Sequence, residues 1–229
     1  MIETGIALTP LLLTLKVALL ATLFSFIAGV ILSRIISQFT FPGKEWLDAV
    51  LTLPLVLPPT VLGYYLIVVL GRKGWLGQFL WENFGISLMF TWQGAVVASA
   101  VVSFPLVFKS AKASFEAVDH NLEKAARTLG SSELGVFLRV SLPLAWRGIL
   151  AGAMLAFARA MGEFGATLMI AGNLPGKTQT LSLAVYDAVQ AGKDSLATTL
   201  VLITSIVCVL VLVASGKILK SNYIKEVDR

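Results

Sequence analysis

The sequence predicts an all-α membrane protein: one bundle of five transmembrane helices, a single domain over residues 1–229 with a cytoplasmic loop at about 112–147. Three observations predict it. Hydrophobic side chains make up 57% of the chain against 14% charged ones, and the mean hydropathy is +0.85, well above that of a soluble domain. Five apolar windows, at about 10–33, 47–70, 89–111, 148–171 and 196–216, are each long enough to cross a hydrocarbon core, which needs about 20 residues. The basic residues divide unevenly between the two sets of loops. One set carries Arg34, Lys44, Lys109, Lys112, Lys124, Arg127, Arg139, Arg147 and the C-terminal lysines, whereas the other carries only Arg72, Lys73, Lys177 and Lys193. The positive-inside rule puts the first set in the cytoplasm, with the N-terminus outside and the C-terminus inside. The net charge of +5 then reflects topology and points neither to nucleic acid nor to an anionic substrate.

The start, MIETGIALTPLLL, lacks a basic segment and a small-residue cleavage site, so it reads as a retained first span. Lys16 lies near the outer end of that span, close enough to snorkel, and the helix reads as peripheral. FTFPGKEW closes a short cytoplasmic turn. The second span holds Pro54, Pro58 and Pro59, each lacking a backbone donor, so it must bend or unwind near Thr60. Irregular backbone at membrane depth survives where protein or a water-filled cavity satisfies it, which makes Pro58, Pro59 and Thr60 candidates for a pathway or gate. A static kink that improves packing is the competing reading. Trp75, Trp81 and Phe84 suit an interfacial helix, and Pro105 bends the third span. The lone Cys208 of the fifth span reads as a small packing residue.

The fourth span is expected as one helix with a seam of small residues, Gly148, Gly152, Ala156 and Ala160, along which another helix can pack. Arg159 falls roughly 16 Å into it, near the midplane, with Glu163 one turn later on the same face. Charges at that depth mark either a pathway or an internal pair that fixes the bundle, and Thr167 lies just beyond them. The stretch AGNLPGKT misses the phosphate-loop spacing by one residue and falls on the outer side, so it reads as a turn leading into an amphipathic TLSLAVYDAVQAG. With one histidine, His120, and no cysteine or histidine cluster, the sequence offers no metal site and no catalytic constellation.

One polar interval stands out, DHNLEKAARTLGSSELGVFLRVSLP at 119–143. It reads as two short helices with a hinge. Asp119 caps the first, Leu122, Ala126 and Leu129 form its apolar stripe, Gly130 supplies the left-handed residue that ends it, and Ser131 or Ser132 caps the second ahead of Glu133. The small Ala125 and Ala126 beside Lys124 and Arg127 would let another surface approach closely. A helix resting on lipid headgroups is the alternative.

Within that interval, Lys124-Ala125-Ala126, Gly130 and Leu142-Pro143 resemble, at the same spacing, the signature loop of permease subunits of ATP-binding-cassette importers. Lys124 departs from the pattern, which has Glu there, although Glu123 precedes it. FPGK, LPLVLPP, EKAARTLGSS and RAMGEFGATLMIAGNLPGKT further resemble the permeases of molybdate importers, with sulfate and thiosulfate permeases as nearest relatives. The resemblance implies a permease homodimer in the inner membrane of a prokaryote, without cofactor or catalysis of its own. It also implies two cytoplasmic ATPase subunits that bind ATP and Mg, and a periplasmic or lipid-anchored protein that delivers the oxyanion. Glu123, Lys124, Ala125, Ala126, Gly130, Leu142 and Pro143 would couple the chain to the ATPase. Molybdate and tungstate are not separable on sequence. A secondary transporter or channel acting alone would favour an internal repeat and a second discontinuous helix, and the sequence displays neither.

Overall fold

The computed structural model describes residues 2–39 and 41–227, and the side chains of 7–39, 41–213 and 216. Thr40 and the C-terminal lysines counted for orientation lie outside those described side chains. Among the described residues every regular element is helical. The order is α1 (Ile2–Gln38), α2 (Lys44–Val56), α3 (Pro59–Leu70), α4 (Trp75–Phe84), α5 (Trp92–Glu116), α6 (His120–Thr128), α7 (Glu133–Val136), a π turn (Phe137–Ser141), α8 (Leu142–Met161), α9 (Gly165–Ala171), α10 (Leu181–Gln190) and α11 (Asp194–Val227). Four helical stretches are long and apolar enough to cross a membrane, Ala7–Gln38, Trp92–Glu116, Glu133–Met161 and Asp194–Val213, and the bent pair α2–α3 makes a fifth.

The bundle is built on α5. Its small and branched residues, among them Ala95, Ala98, Val102, Val107 and Ala111, are buried because α1, α8 and α9 pack on different sides of it. The seam expected on the fourth span is used here, inside the chain. A Cβ on Gly152 would sit 2.5 Å from Ser110 Cβ, and one on Gly148 would strike the Ser114 hydroxyl, so the glycines let α8 lie against α5. On a neighbouring side of α5 a Cβ on Gly29 would meet Val107 Cγ1 at 2.9 Å, and Ser25 donates to the Ala100 carbonyl at 2.9 Å. On its other side α1 leaves Leu12, Leu19, Leu23, Ile27 and Ile31 exposed, as a peripheral helix does. It packs along α5, and Lys16 ends over the Trp92 ring at 3.6 Å instead of only reaching for headgroups.

One expectation is met and two are corrected. The second span, expected to bend or unwind at its prolines, does so: it is two half-helices at 115°. Pro54 sits inside α2, and the break falls at Leu57, which its following proline holds extended (φ −67°, ψ 138°). Pro59 then opens α3, where its missing donor costs nothing. The fourth span is also discontinuous: α8 ends at Met161, Gly162 to Phe164 are non-helical, and α9 starts anew at Gly165. A second discontinuous helix is therefore present, contrary to expectation. Finally, the second helix of the polar interval is not short. From Glu133 it runs through the π turn into α8, because Pro143 lacks an N–H and crowds the turn before it. The wider turn lets Leu142 N donate to Phe137 O.

Candidate functional site

Helix α6 is set by its ends. The Asp119 carboxylate accepts from Asn121 N at 2.8 Å, and Gly130 takes φ +82° while Ser131 N returns to Ala126 O at 3.1 Å. Beyond this cap Arg127 braces the corner with two hydrogen bonds to Glu133, at 2.7 and 3.1 Å. The Ser132 hydroxyl accepts from Gly135 N at 3.2 Å and so begins the next helix.

What α6 buries is unexpected. Leu122 and Leu129 do not face the bundle; Leu129 is 85% exposed, with Lys124, Ala125, Thr128 and Gly130 exposed beside it and Ala126 half-buried. The buried member is Glu123, 4% exposed. Its Oε1 accepts from Arg34 Nη1 at 2.9 Å and from the Ser141 hydroxyl at 2.5 Å, while Arg127 lies 3.8 Å and His120 3.7 Å from Oε2. Burial alone would raise this carboxyl, but hydrogen bonds from Ser141 and Arg34 and the charges of Arg34 and Arg127 outweigh it and hold the group below the ordinary carboxylate value. Leu142 and Pro143 lie past the π turn in α8, half-buried and exposed respectively, and not on the outer face of α6.

The second cluster forms where the two broken spans meet. Pro58, Pro59 and Thr60 are exposed at the start of α3, and a Cβ on Gly165 would come within 2.9 Å of Pro59 Cβ and 3.4 Å of Thr60 N. The first turns of α3 and α9 therefore touch. Arg159 donates to Glu163 Oε2 at 2.7 Å, and Glu163 Oε1 accepts from Ala166 N at 2.9 Å. The carboxylate thus joins α8 to α9 across the break and satisfies a donor of the first turn of α9. Arg159 keeps 34% of its side chain exposed, whereas Glu163 and Thr167 are buried, and the Thr167 hydroxyl finds no hydrogen-bond partner.

Arg34, Ser141 and Asp48 escaped the sequence reading as site residues. Asp48 pairs with Lys109 and Lys112 and so fastens α2 to the C-terminal part of α5. Only its place at the start of the second span, at the same end of the bundle as the two lysines, could have pointed to it. Nothing near Arg34 could have pointed to Glu123, since 89 positions separate them. Among the described residues no group of three or more His, Cys, Asp or Glu side chains could hold a metal ion.

Comparison with known proteins agrees with this layout. Residues 21–225 match the family described as binding-protein-dependent transport system inner membrane component. The chain is 49% identical over 194 residues to the molybdenum transport system permease protein ModB of Escherichia coli K12, covering 84% of this chain and 85% of that protein. It is 46% identical over 189 residues to a putative molybdenum transport system permease, YvgM of Bacillus subtilis, covering 82% and 83%. The sulfate transport system permease protein CysT of Salmonella typhimurium is more distant, 38% identical over 177 residues that make up 77% of this chain and 64% of that one. Two solved structures share the fold: the MetNI methionine ABC transporter (TM-score 0.73, 18% identity, 95% of this chain and 96% of that one) and a bacterial ABC importer of alginate (TM-score 0.72, 15% identity, 93% and 79%). With its apolar spans and a match over nearly its whole length, the chain belongs to the inner membrane components of binding-protein-dependent transport systems, as a multi-pass permease.

Proposed function

We propose that this permease carries molybdate across the inner membrane by alternating access, driven by ATP hydrolysis in a separate subunit. The observation that carries the reading is the 49% identity to a molybdenum permease over 84% of the chain, against 38% to a sulfate permease. Two copies form the pathway, two ATPase subunits holding ATP and Mg sit on the cytoplasmic side, and a periplasmic or lipid-anchored protein delivers the anion. The exposed face of α6, Lys124, Ala125, Ala126 and the Gly130 corner, enters a groove of the ATPase. Its support is chemical: Leu129 and Leu122 are apolar, exposed, and on a helix that the positive-inside rule puts in the cytoplasm, so a protein surface rather than water is the favoured neighbour. Glu123 contributes from the inner side by holding α6 in place, and Leu142 and Pro143 by shaping the π turn.

The pathway narrows where α3 meets α9, at Pro58, Pro59 and Thr60 with Arg159, Glu163 and Thr167 nearby. The chain itself needs no cofactor, and capture of the anion falls to the binding protein. The second broken span keeps an ATP-independent carrier in play as the competing reading, since discontinuous helices are common in secondary transporters. Reconstitution decides between them. Proteoliposomes holding the permease, the ATPase subunit and the binding protein should take up labelled molybdate only with ATP inside, and unlabelled tungstate should compete far better than sulfate. Uptake by the permease alone along an ion gradient would overturn the ATP-driven reading; sulfate competing equally would overturn the substrate.

A further inference from the structure

Helix α6 is anchored in an uneven way. It packs against α7 and the π turn, but it reaches α1 chiefly through one side chain, Arg34, in the last turns of α1. That guanidinium is almost enclosed: its side chain is 11% exposed and the carboxylate it meets is 6% exposed. Its surroundings come from every neighbouring element. Glu123 of α6 takes Nη1, the rings of Phe115 in α5 and Phe137 in the π turn lie 5.6 and 5.7 Å from its carbon, and Gln38, with its amide turned to accept, takes Nε at 3.2 Å. The same Glu123 oxygen that holds Arg34 also holds Ser141, the residue where the π turn hands over to α8. One buried atom therefore ties α6 to the cytoplasmic ends of both α1 and α8.

We propose that Arg34 is a positioning residue for coupling: with Glu123 and Ser141 it forms the rigid joint through which a push on α6 is delivered to α1 and α8 together. The inference rests on the reading of α6 as the ATPase contact. An ionic joint suits this task for a physical reason. Apolar contacts slide at small cost, whereas a buried carboxylate bound by two donors resists any displacement that leaves it unpaired. Displacing α6 by a few ångströms then drags α1, and the 37-residue length of that helix carries the movement to the outer half of the bundle.

The test uses the full complex of permease, ATPase subunit and binding protein in proteoliposomes, reading ATP hydrolysed and molybdate taken up in the same sample. Arg34→Ala should still co-purify with the ATPase and hydrolyse ATP, while molybdate moved per ATP falls by about tenfold or more, the equivalent of ~1.4 kcal/mol of lost coupling in a joint of this kind. Arg34→Lys keeps the charge and should retain most of the coupling. Arg34→Glu and Glu123→Arg should each fail, and the two together should recover transport per ATP toward the parent value. Should Arg34→Ala not fold, the exchanged pair and Arg34→Lys carry the test. An unchanged ratio in Arg34→Ala, or an exchanged pair as uncoupled as either single variant, would overturn the proposal. Ala126→Trp on the outer face of α6 keeps the two readings apart. It should lose the ATPase itself, and if instead it binds the ATPase and transports normally, the contact reading fails whatever Arg34 does.

Discussion

Two of the arginine–glutamate pairs among the described residues, Arg34–Glu123 and Arg159–Glu163, are built differently. Beside α6, Glu123 binds Arg34 from 89 positions away and Ser141 from 18, so its carboxylate fixes three elements to one another. At the break in the fourth span Glu163 binds Arg159 four residues back and Ala166 N three residues ahead, so it organises only its own turn. The first is a joint between helices and both partners are enclosed. The second pins a hinge, and one third of its arginine is open. The same two side chains thus tie separate helices where the contact is long-range and brace a break within one span where it is local. Under the proposed function, alternating access uses the first as the stiff place to push and the second as the place that yields.

Removing the joint should have the largest effect. Glu123→Ala strands an enclosed guanidinium and should destabilise the end of the bundle that carries α6 by roughly 3–5 kcal/mol. Limited proteolysis should then cut between residues 117 and 132 in a protein that otherwise resists. The pH dependence follows from the lowered carboxyl. The stabilisation is fully present above the ordinary carboxylate value and is lost as pH falls through the still lower folded-state value, so protection should hold at pH 5 and fade only below about pH 4. Protection that fades between pH 6 and 5 would make the joint no stiffer than the hinge.

A smaller effect is expected at the hinge. Glu163→Gln retains an oxygen for Ala166 N and releases a partly exposed arginine, so the cost in thermal unfolding should be near 1–2 kcal/mol, with molybdate uptake reduced more than stability. Equal losses at Glu123 and Glu163 would erase the distinction. The finest test probes the yielding side directly. Thr60→Cys in a Cys208→Ser background should react with a water-soluble thiol reagent at rates that differ a few-fold between ATP-bound and nucleotide-free complexes. A matching cysteine at Ala18, buried between α1 and its neighbours, should stay unreactive in both. Identical rates at Thr60 would move the yielding place away from α3 and α9.

Local signals carried the sequence reading a long way. The five spans follow from apolar runs, the start and end of α6 from Asp119 and Gly130, and the break in the second span from Pro58. What stayed hidden was of two kinds. Pairings over long separations, Arg34 with Glu123 or Asp48 with Lys109 and Lys112, leave no trace in spacing, because each partner looks like a boundary charge. The break at Gly162 was hidden differently. The run from Gly148 to Ala171 is mostly apolar and rich in alanine, and the carboxylate that ends one helix and starts the next, Glu163, reads equally well as a residue inside a single helix at the i+4 position. The apolar stripe of α6 was visible but its direction was not, since hydropathy alone does not say whether a leucine faces its own bundle or another chain.

The π turn at Phe137–Ser141 has one more consequence, and it concerns phase. An α-helix advances about 100° per residue, so a turn that absorbs one extra residue shifts everything after it by roughly a quarter of a revolution without moving the axis. The azimuth of Glu133, which Arg127 grips, and that of the Gly148–Gly152 seam, which α5 grips, are therefore set separately. Deleting a single residue within 137–141 would restore a regular helix and leave the two grips out of register with each other, so the wide turn serves as the indexing step between the part of the helix held by α6 and the part packed on α5.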